Sequence, residues 1–553
     1  MNKTVLIIGG YGVFGGRLAK ALSKDGRFRV IVAGRNKDKA QHFCKGTLCE
    51  AAYLDRTSSD LAQSVRDLSP FMVIDAAGPF QNYGEQSHRL VEIAIACGAH
   101  YLDLSDDADF TLSIAAFDAV ARKAGLVALS GVSSVPALSS TIVGALSEGL
   151  QDIHLIHSAI LPGNRAPRGL SVVKAIISQV GKPLGVWTAG RGVNVPGWSG
   201  LKRITVDRDP PKPALQRWGS LIGAPDLQLF PTYFGARNVT FRASLDLKLM
   251  HGGLWLLSWL VRCRMMKSLL PLAASLKFAA DRLEGFGSDV GAMVVEVVGT
   301  DDAGRTRGER WELVVEDGDG PSIPTVPAQI LCDKLIRSEI AHGARPCLEE
   351  FSRADAETAL QLLKVQTRIS EYAIPLVFQA VLGEDFNRLP PPIRDLHTVL
   401  AARRWQGRAH VKRSRRFLSR LAGWVAGFPN SAEDIPVEVE MRNTTRGETW
   451  IRTFGEKRFR SYLSSQSQHG VDRLFERFGP MRFEISLKLE NGELKFPVKS
   501  GRMFGLPLPR FMLPISTAKE HLDQNGRACF FVEISLPITG HVATYSGWLE
   551  PIG

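Results

Sequence analysis

The sequence predicts a doubly wound parallel α/β sheet over residues 1–130. An inserted α+β domain is expected over 131–324 and a C-terminal β-rich α+β domain over 372–553. Three observations predict this. An apolar run, TVLIIGG, leads into the glycine turn GGYGVFGG and then a helical apolar period. Strand-like and helix-like segments alternate to about residue 130, the mark of a parallel sheet. Beyond that point short strand-like segments sit between Pro/Gly-rich connections, the texture of an open, largely antiparallel sheet.

Taken in order, TVLIIGG, FRVIVAGR, CEAAYLD, FMVIDAAGPF, HYLDLS and GLVALSG read as six strands. Between them, 14–25, GEQSHRLVEIAIACG and DFTLSIAAFDAVARKAG read as helices, the last two stopped by Gly98 and Gly125. In the insert, HLIHSAIL, NVTFRASLDL, AMVVEVVGT and RWELVVEDG read as strands. VPAQILCDKLIRSEIAHG reads as a helix ended by Gly343, opening a return to the first domain over 325–370. Pro390–Pro392 lies near the start of the last unit. That unit opens with a basic, helix-like segment, RRWQGRAHVKRSRRFLSRLAGWVAGFP, before alternating strands such as PVEVEMRN and ACFFVEISLPI.

The chain has 553 residues, 44% hydrophobic and 22% charged, so core-forming capacity is ample and two or three domains are expected. A formal charge of +12 favours anionic partners. Seven cysteines are scattered, and only Cys44 and Cys49 are close, with no Cys/His pairing at zinc spacing, so no metal site is expected. No signal peptide is visible at the N-terminus, and the expected setting is reduced and cytoplasmic. The stretch 252–280 is apolar on nearly every side, yet Arg262, Arg264 and Lys267 break it after about ten apolar residues, where a span needs about twenty. It reads as buried helices or a subunit contact, with a membrane surface as the alternative.

The spacing Gly10-Tyr11-Gly12-Val13-Phe14-Gly15 is G-x-G-x-x-G between a strand and a helix. There Gly10 permits the turn, Gly12 lets backbone approach a pyrophosphate, and Gly15 allows close helix packing. Phosphates then meet the free N–H groups of the helix start. The second strand ends Ala33-Gly34-Arg35-Asn36-Lys37, without the acid that would bond a ribose 2′-OH. A guanidinium there pairs with a 2′-phosphate, so NADP is expected over NAD, with Arg35 leading, Lys37 second, and Asn36 beside them. Asp55 reaches towards the adenine or caps a helix. Ala77, Gly78 and Pro79 end the fourth strand, where backbone passes the nicotinamide ribose.

Hydride transfer also needs a proton donor or acceptor. Candidates leave the ends of the fourth to sixth strands. On HYLDLSDD, Tyr101, Asp103 and Ser105 share one side. Asp103 is a base or orienter and Tyr101 or His100 an acid, against a structural reading of Tyr101 in the sheet and Ser105 or Asp106 as a helix cap. Ser133 and Ser134 bond cofactor or substrate, or stabilise a turn. Tyr83 is a further candidate. In the last unit, His397 with Arg452, Arg460, Glu476 and Arg477 reads as a salt-bridge network or a polar site. The run Arg403, Arg404, Arg408, Lys412, Arg413, Arg415, Arg416 and Arg420, interleaved with Trp405, Phe417 and Trp424, reads as a basic amphipathic segment. An anionic lipid surface and a solvated face weigh equally there, and nucleic acid ranks below both.

With GGYGVFG, AGRN, VIDAAGPFQNYG, HYLDLS and SGVSSVPALSS, residues 1–350 resemble the saccharopine dehydrogenase-like oxidoreductases. The resemblance implies a Rossmann NADP-binding domain, an inserted domain often used for dimerisation, and a C-terminal return to the first domain. It maps nucleotide contacts onto Gly10, Gly12, Val13, Phe14, Arg35, Asp55, Ala77 and Gly78. The family's G-L-D-P-G turn is Gly131-Val132-Ser133-Ser134-Val135-Pro136 here, and helix 84–98 lacks the family's lysine, so saccharopine is a poor substrate. The last 180 residues resemble a domain of unknown function, through pieces such as WIRTFGEKRFRS and YSGWLEP. The expected function is an NADP(H)-dependent oxidoreductase on a lipidic or apolar carbonyl, enone or imine, peripheral to an anionic membrane through 403–424 and 252–280. The alternative is a non-catalytic lipid- or membrane-binding protein that keeps the nucleotide scaffold.

Overall fold

The computed structural model describes residues 2–552 except 168, 415, 417–429, 445, 469–470 and 538–539. Six strands run as anticipated: β1 (Lys3–Ile8), β2 (Phe28–Gly34), β3 (Glu50–Tyr53), β4 (Met72–Asp75), β5 (His100–Asp103) and β6 (Val127–Ser130). A seventh, Gly343–Pro346, pairs in parallel with β6. Sheet order is 343–346, β6, β5, β4, β1, β2, β3, so strand order reverses between β4 and β1, where ligands of such sheets bind. The near-continuous apolar runs follow from burial on both faces. Val5, Ile7, Val30 and Val32 enter one core, while Leu6, Ile8, Ile31 and Ala33 enter the other.

The insert builds a nine-stranded, mostly antiparallel sheet. Its main path is 202–206, 215–221, 239–244, 152–161, 291–300, 306–315 and 365–372. Strand Val365–Tyr372 pairs with 306–315, so the return segment expected to reach 370 leaves the first domain earlier. A hairpin, Pro183–Thr188 with Arg191–Pro196, has one ladder pair with this sheet among the described residues, Trp187 opposite Val239. The first core does not stop at the domain boundary: Ile156, Trp198, Phe230, Val239 and Trp311 of the insert belong to it.

The C-terminal domain is a 13-stranded antiparallel sheet. Helices Val377–Leu382 and Pro391–Leu396 pack against strands far apart in it, 457–478 and 515–536 respectively, so the sheet curls around them. The basic run is not a helix where it is described: Ala402–Arg413 is a strand. Trp405, Ala409 and Val411 point inward at a spacing of two, and alternate residues point out. Several of its cations have internal partners. Arg403 pairs with Asp395 at 2.7 Å, and Arg408 with Asp434 at 2.5 Å. The rest of the proposed membrane segment, from 417 to 424, lies outside the described residues. His397 is buried and bonds Glu520 at 2.6 Å, and Arg452 pairs with Glu476 at 3.3 Å, which supports the salt-bridge reading.

The burial reading of 252–280 is also corrected. It forms helices Lys248–Arg262 and Ala273–Arg282, but only His251, Leu254, Ser258 and Ala273 of them are buried. Leu256 is 65% exposed, Trp259 45% and Phe278 61%. No helix among the described residues is long and apolar enough to cross a membrane.

Candidate active site

Helix α1 (Val13–Ser23) starts at Gly12, with no side-chain cap and no acid in its first turn. Its first N–H groups are therefore left for an anion. The turn before it is shaped by absent side chains. Gly9 has φ +75°, and a Cβ there would lie 2.7 Å from the Ala76 carbonyl oxygen. A Cβ on Gly15 would lie 2.5 Å from the Gly9 oxygen. Gly12 faces only that oxygen, at 3.1 Å, and is otherwise open. These positions fit a bound dinucleotide. Gly10 packs against Val32, and Gly9 is the position the spacing argument passed over.

Tyr11 lies over Gly34, and its hydroxyl accepts the Asn36 N–H at 3.2 Å, tying the glycine turn to the end of β2. The Asn36 side chain caps helix Lys37–Cys44, accepting from the Lys39 N–H at 2.8 Å, so it serves the backbone. Arg35 and Lys37 are exposed at this rim. Asp55 accepts from both the N–H and hydroxyl of Thr57. Those bonds hold its carboxyl low, with Arg35 and Arg56 adding to the effect. It holds a local turn and does not cap the next helix, whose N-cap is Asp60.

At the ends of β4 and β5, Asp75 and Asp103 are opposite one another and fully buried. Burial pushes both carboxyls up from the ordinary range. Each ties down a loop. Asp75 accepts from the Ala77 N–H at 3.0 Å and from the Tyr83 hydroxyl at 3.1 Å, with Arg56 stacked on the Tyr83 ring. Asp103 Oδ1 accepts from the Ser105 N–H, the Gly131 N–H and the Ser130 hydroxyl, while Oδ2 has no partner. The pair thereby sets the rim formed by loops 76–83, 105–107 and 131–133.

That rim opens on a cavity of about 1070 Å³ between the first domain and the insert. Pro79, Gln81 and Asp106 line one end, Lys174 and Gln228 add polar groups, and Leu184, Val186, Trp187, Leu227 and Leu270 supply apolar wall. Asp107, not Asp106, caps the next helix, accepting from the Phe110 N–H at 2.8 Å. This frees Asp106 to face the cavity, where Gln81 Nε2 donates to it at 3.2 Å. Protein surrounds Asp106 on most sides although solvent reaches it through the cavity, and this raises its carboxyl pKa.

The catalytic candidates fare differently. Tyr101 is 1% exposed and lies in the core that also holds Ile114 and Ala121, with Asp103 beside it. Asp103 is buried and acts through loops. Ser133 and Ser134 lie outside the cavity wall, Ser134 buried at the start of the turn Ser134–Leu138. Lys174, Trp187 and Gln228 come from insert elements that carry no motif. Only fold assembly brings them to β4 and β5.

Strand order and glycine turn define a dinucleotide-binding Rossmann domain at the N-terminus. Residues 5–129 match the saccharopine dehydrogenase NADP binding domain, and residues 389–549 match a domain of unknown function, DUF4166. The chain joins these two. Among solved structures it is similar to apo saccharopine dehydrogenase (L-Glu forming) from Saccharomyces cerevisiae, at 15% identity and TM-score 0.48, over 67% of this chain and 100% of that one. It is also similar to a probable dehydrogenase from Thermotoga maritima, at 12% identity and TM-score 0.32, over 65% and 94%. A meso-dapdh variant with DAP from Clostridium tetani E88 gives 13% and 0.33, over 65% and 98%. No curated protein matches the chain significantly.

Proposed function

We propose that the protein is an NADP(H)-dependent oxidoreductase that reduces an apolar carbonyl, enone or imine in the interdomain cavity. The observation that carries this reading is the cavity itself. It opens at the C-terminal ends of β4 and β5, beside the strand-order reversal, and sets the carboxyls of Asp106, Asp107 and Asp109, of which Asp107 caps a helix, against a wall of mixed polar and apolar side chains. Reduction of such a substrate adds a hydride to carbon and a proton to oxygen, nitrogen or the enone's α-carbon, and NADPH bound at the glycine turn would supply the hydride. Asp106 holds the proton at the cavity surface, with Gln81 fixing its carboxyl. Lys174 sits on the opposing wall, suited to a polar substrate atom. Arg35 supports NADP(H) over NAD(H). Arg35→Ala is expected to weaken NADPH binding about tenfold and leave NADH within about twofold, measured by fluorescence titration. Equal loss for both dinucleotides would remove the assignment of the 2′-phosphate to Arg35.

The partner that fits helices 248–262 and 273–282 is an anionic lipid surface. Exposed Leu256, Trp259, Met265 and Phe278 stand among Arg262, Arg264, Lys267 and Arg282, and Leu270 of the connecting segment lines the cavity. Apolar side chains ringed by cations suit the headgroup boundary. Wild-type protein is expected to sediment with phosphatidylserine-containing vesicles, and Leu256→Asp with Trp259→Asp to bind at least about tenfold more weakly. Equal sedimentation of both proteins, or of neither, would count against it.

A further inference from the structure

Hairpin 183–196 contributes Leu184, Val186, Trp187, Val193 and Asn194 to the cavity wall. A two-stranded hairpin is marginal alone, and this one meets the insert's sheet at one ladder position. Its tip is held from two sides. On the insert side, the Gly190 N–H donates to the Arg237 carbonyl at 2.9 Å, and the Ala189 N–H to Asn238 Oδ1 at 2.8 Å. On the other side, the C-terminal domain reaches the same two turns. Arg404 Nε donates to the Ala189 carbonyl at 2.9 Å, and Asn238 Nδ2 to the Ala402 carbonyl at 2.9 Å.

Arg191, just past the turn, pairs with Glu440 at 3.1 Å and lies 3.7 Å from Glu438, which is itself 3.8 Å from Arg404. Glu440 is nearly buried and shared with Arg442 at 2.5 Å. Ala189 has φ +51°, in the left-handed region that is unfavourable for a residue with a Cβ. Both its N–H and its C=O are engaged, so the turn is over-determined by contacts from two domains. Leu155 and Val298 of the insert also pack into the C-terminal domain's core, which fixes the frame from which Arg404 and Glu440 act.

We infer that the C-terminal domain is a positioning part of the substrate site: Arg404, Glu438 and Glu440 set where the Trp187 hairpin stands and hence what the cavity admits. The inference rests on the reading of that cavity as the substrate site. None of these groups touches substrate; they act through the hairpin. Loosening the tip leaves the glycine turn and Asp106 in place, so the effect falls on substrate affinity and not on the proton-transfer group.

The test compares full-length wild type, Arg404→Gln with Arg191→Gln, and the milder Glu438→Gln, whose carboxylate is partly exposed. Hydrogen exchange is read at 183–196, at β1–β6 and across the C-terminal sheet. NADPH affinity is titrated, and NADPH oxidation is followed with an aldehyde, enone and imine panel. Expected for the double variant are exchange at 186–193 faster by about tenfold, β1–β6 within about twofold, and KM raised about fivefold with NADPH affinity kept. Glu438→Gln is expected to show a smaller change of the same pattern. Wild-type exchange at 186–193, or faster exchange spread equally through the C-terminal sheet, overturns the inference. A panel with no turnover by any variant would sink the proposed function instead, and the exchange pattern would still decide the role of the clamp.

Discussion

Asp106→Asn is expected to lower kcat for NADPH-dependent reduction by about 10²–10³-fold and leave NADPH affinity within about twofold. Asparagine matches aspartate in shape and can still accept from Gln81, so position is kept and only the exchangeable proton is lost. The pH profile separates this from a general loss of fit. Asp106 is exposed to the cavity, and desolvation by the protein wall around it raises its carboxyl above an ordinary aspartate, so its protonated fraction at a given pH is the larger. A donor must be protonated to act, so the wild-type rate should fall as pH rises through that raised pKa. In the asparagine variant this alkaline limb should vanish, leaving a low, flat rate. A variant that kept the limb, or most of its turnover, would move the proton donor elsewhere.

Two glycine replacements separate folding from cofactor binding. Gly15→Ala drives a methyl to 2.5 Å from the Gly9 oxygen and 3.0 Å from Gly10 Cα, all backbone, which cannot step aside. NADPH binding should weaken at least about 100-fold, nearly 3 kcal/mol, and the melting temperature should fall by several degrees. Gly12→Ala meets only one oxygen, at 3.1 Å, and its φ of −75° suits alanine. Its melting temperature should stay within about 2 °C, yet its methyl stands where the pyrophosphate must approach, so affinity should drop about tenfold or more. If Gly12→Ala bound NADPH as wild type does, the phosphates would not lie over this turn. Calorimetric titration beside thermal melts checks both.

The first domain was legible because its signals are local. β1 over residues 5–8 and β2 over residues 30–33 are continuously apolar since both faces are covered, and the glycine spacing sits where strand passes to helix. The depth of Tyr101 was not legible because alternation tells which side a residue takes and not how deep it lies. It shares a side with Asp103 but sits two residues further into the sheet. The basic run was misread through its charge count. Its burial at 405, 409 and 411 follows the spacing of a strand, a pattern present in RRWQGRAHVKR that the density of arginines obscured. Likewise, apolar composition over 252–280 could not say which side chains face water. Trp187 and Lys174 had no local signature, since their importance comes from the insert folding back over β4 and β5.

The core that runs unbroken from Val5 and Ile7 to Trp198 and Trp311 has a further consequence. The nucleotide-binding half is not a detachable module. Cutting the chain near residue 150 would bare a wide apolar surface on both fragments, and grafting this half onto a foreign insert would require redesign of the shared interior. Cofactor recognition and substrate choice are thereby mechanically wedded, and variants that diversify the insert must first preserve the stability of the half that holds the nucleotide.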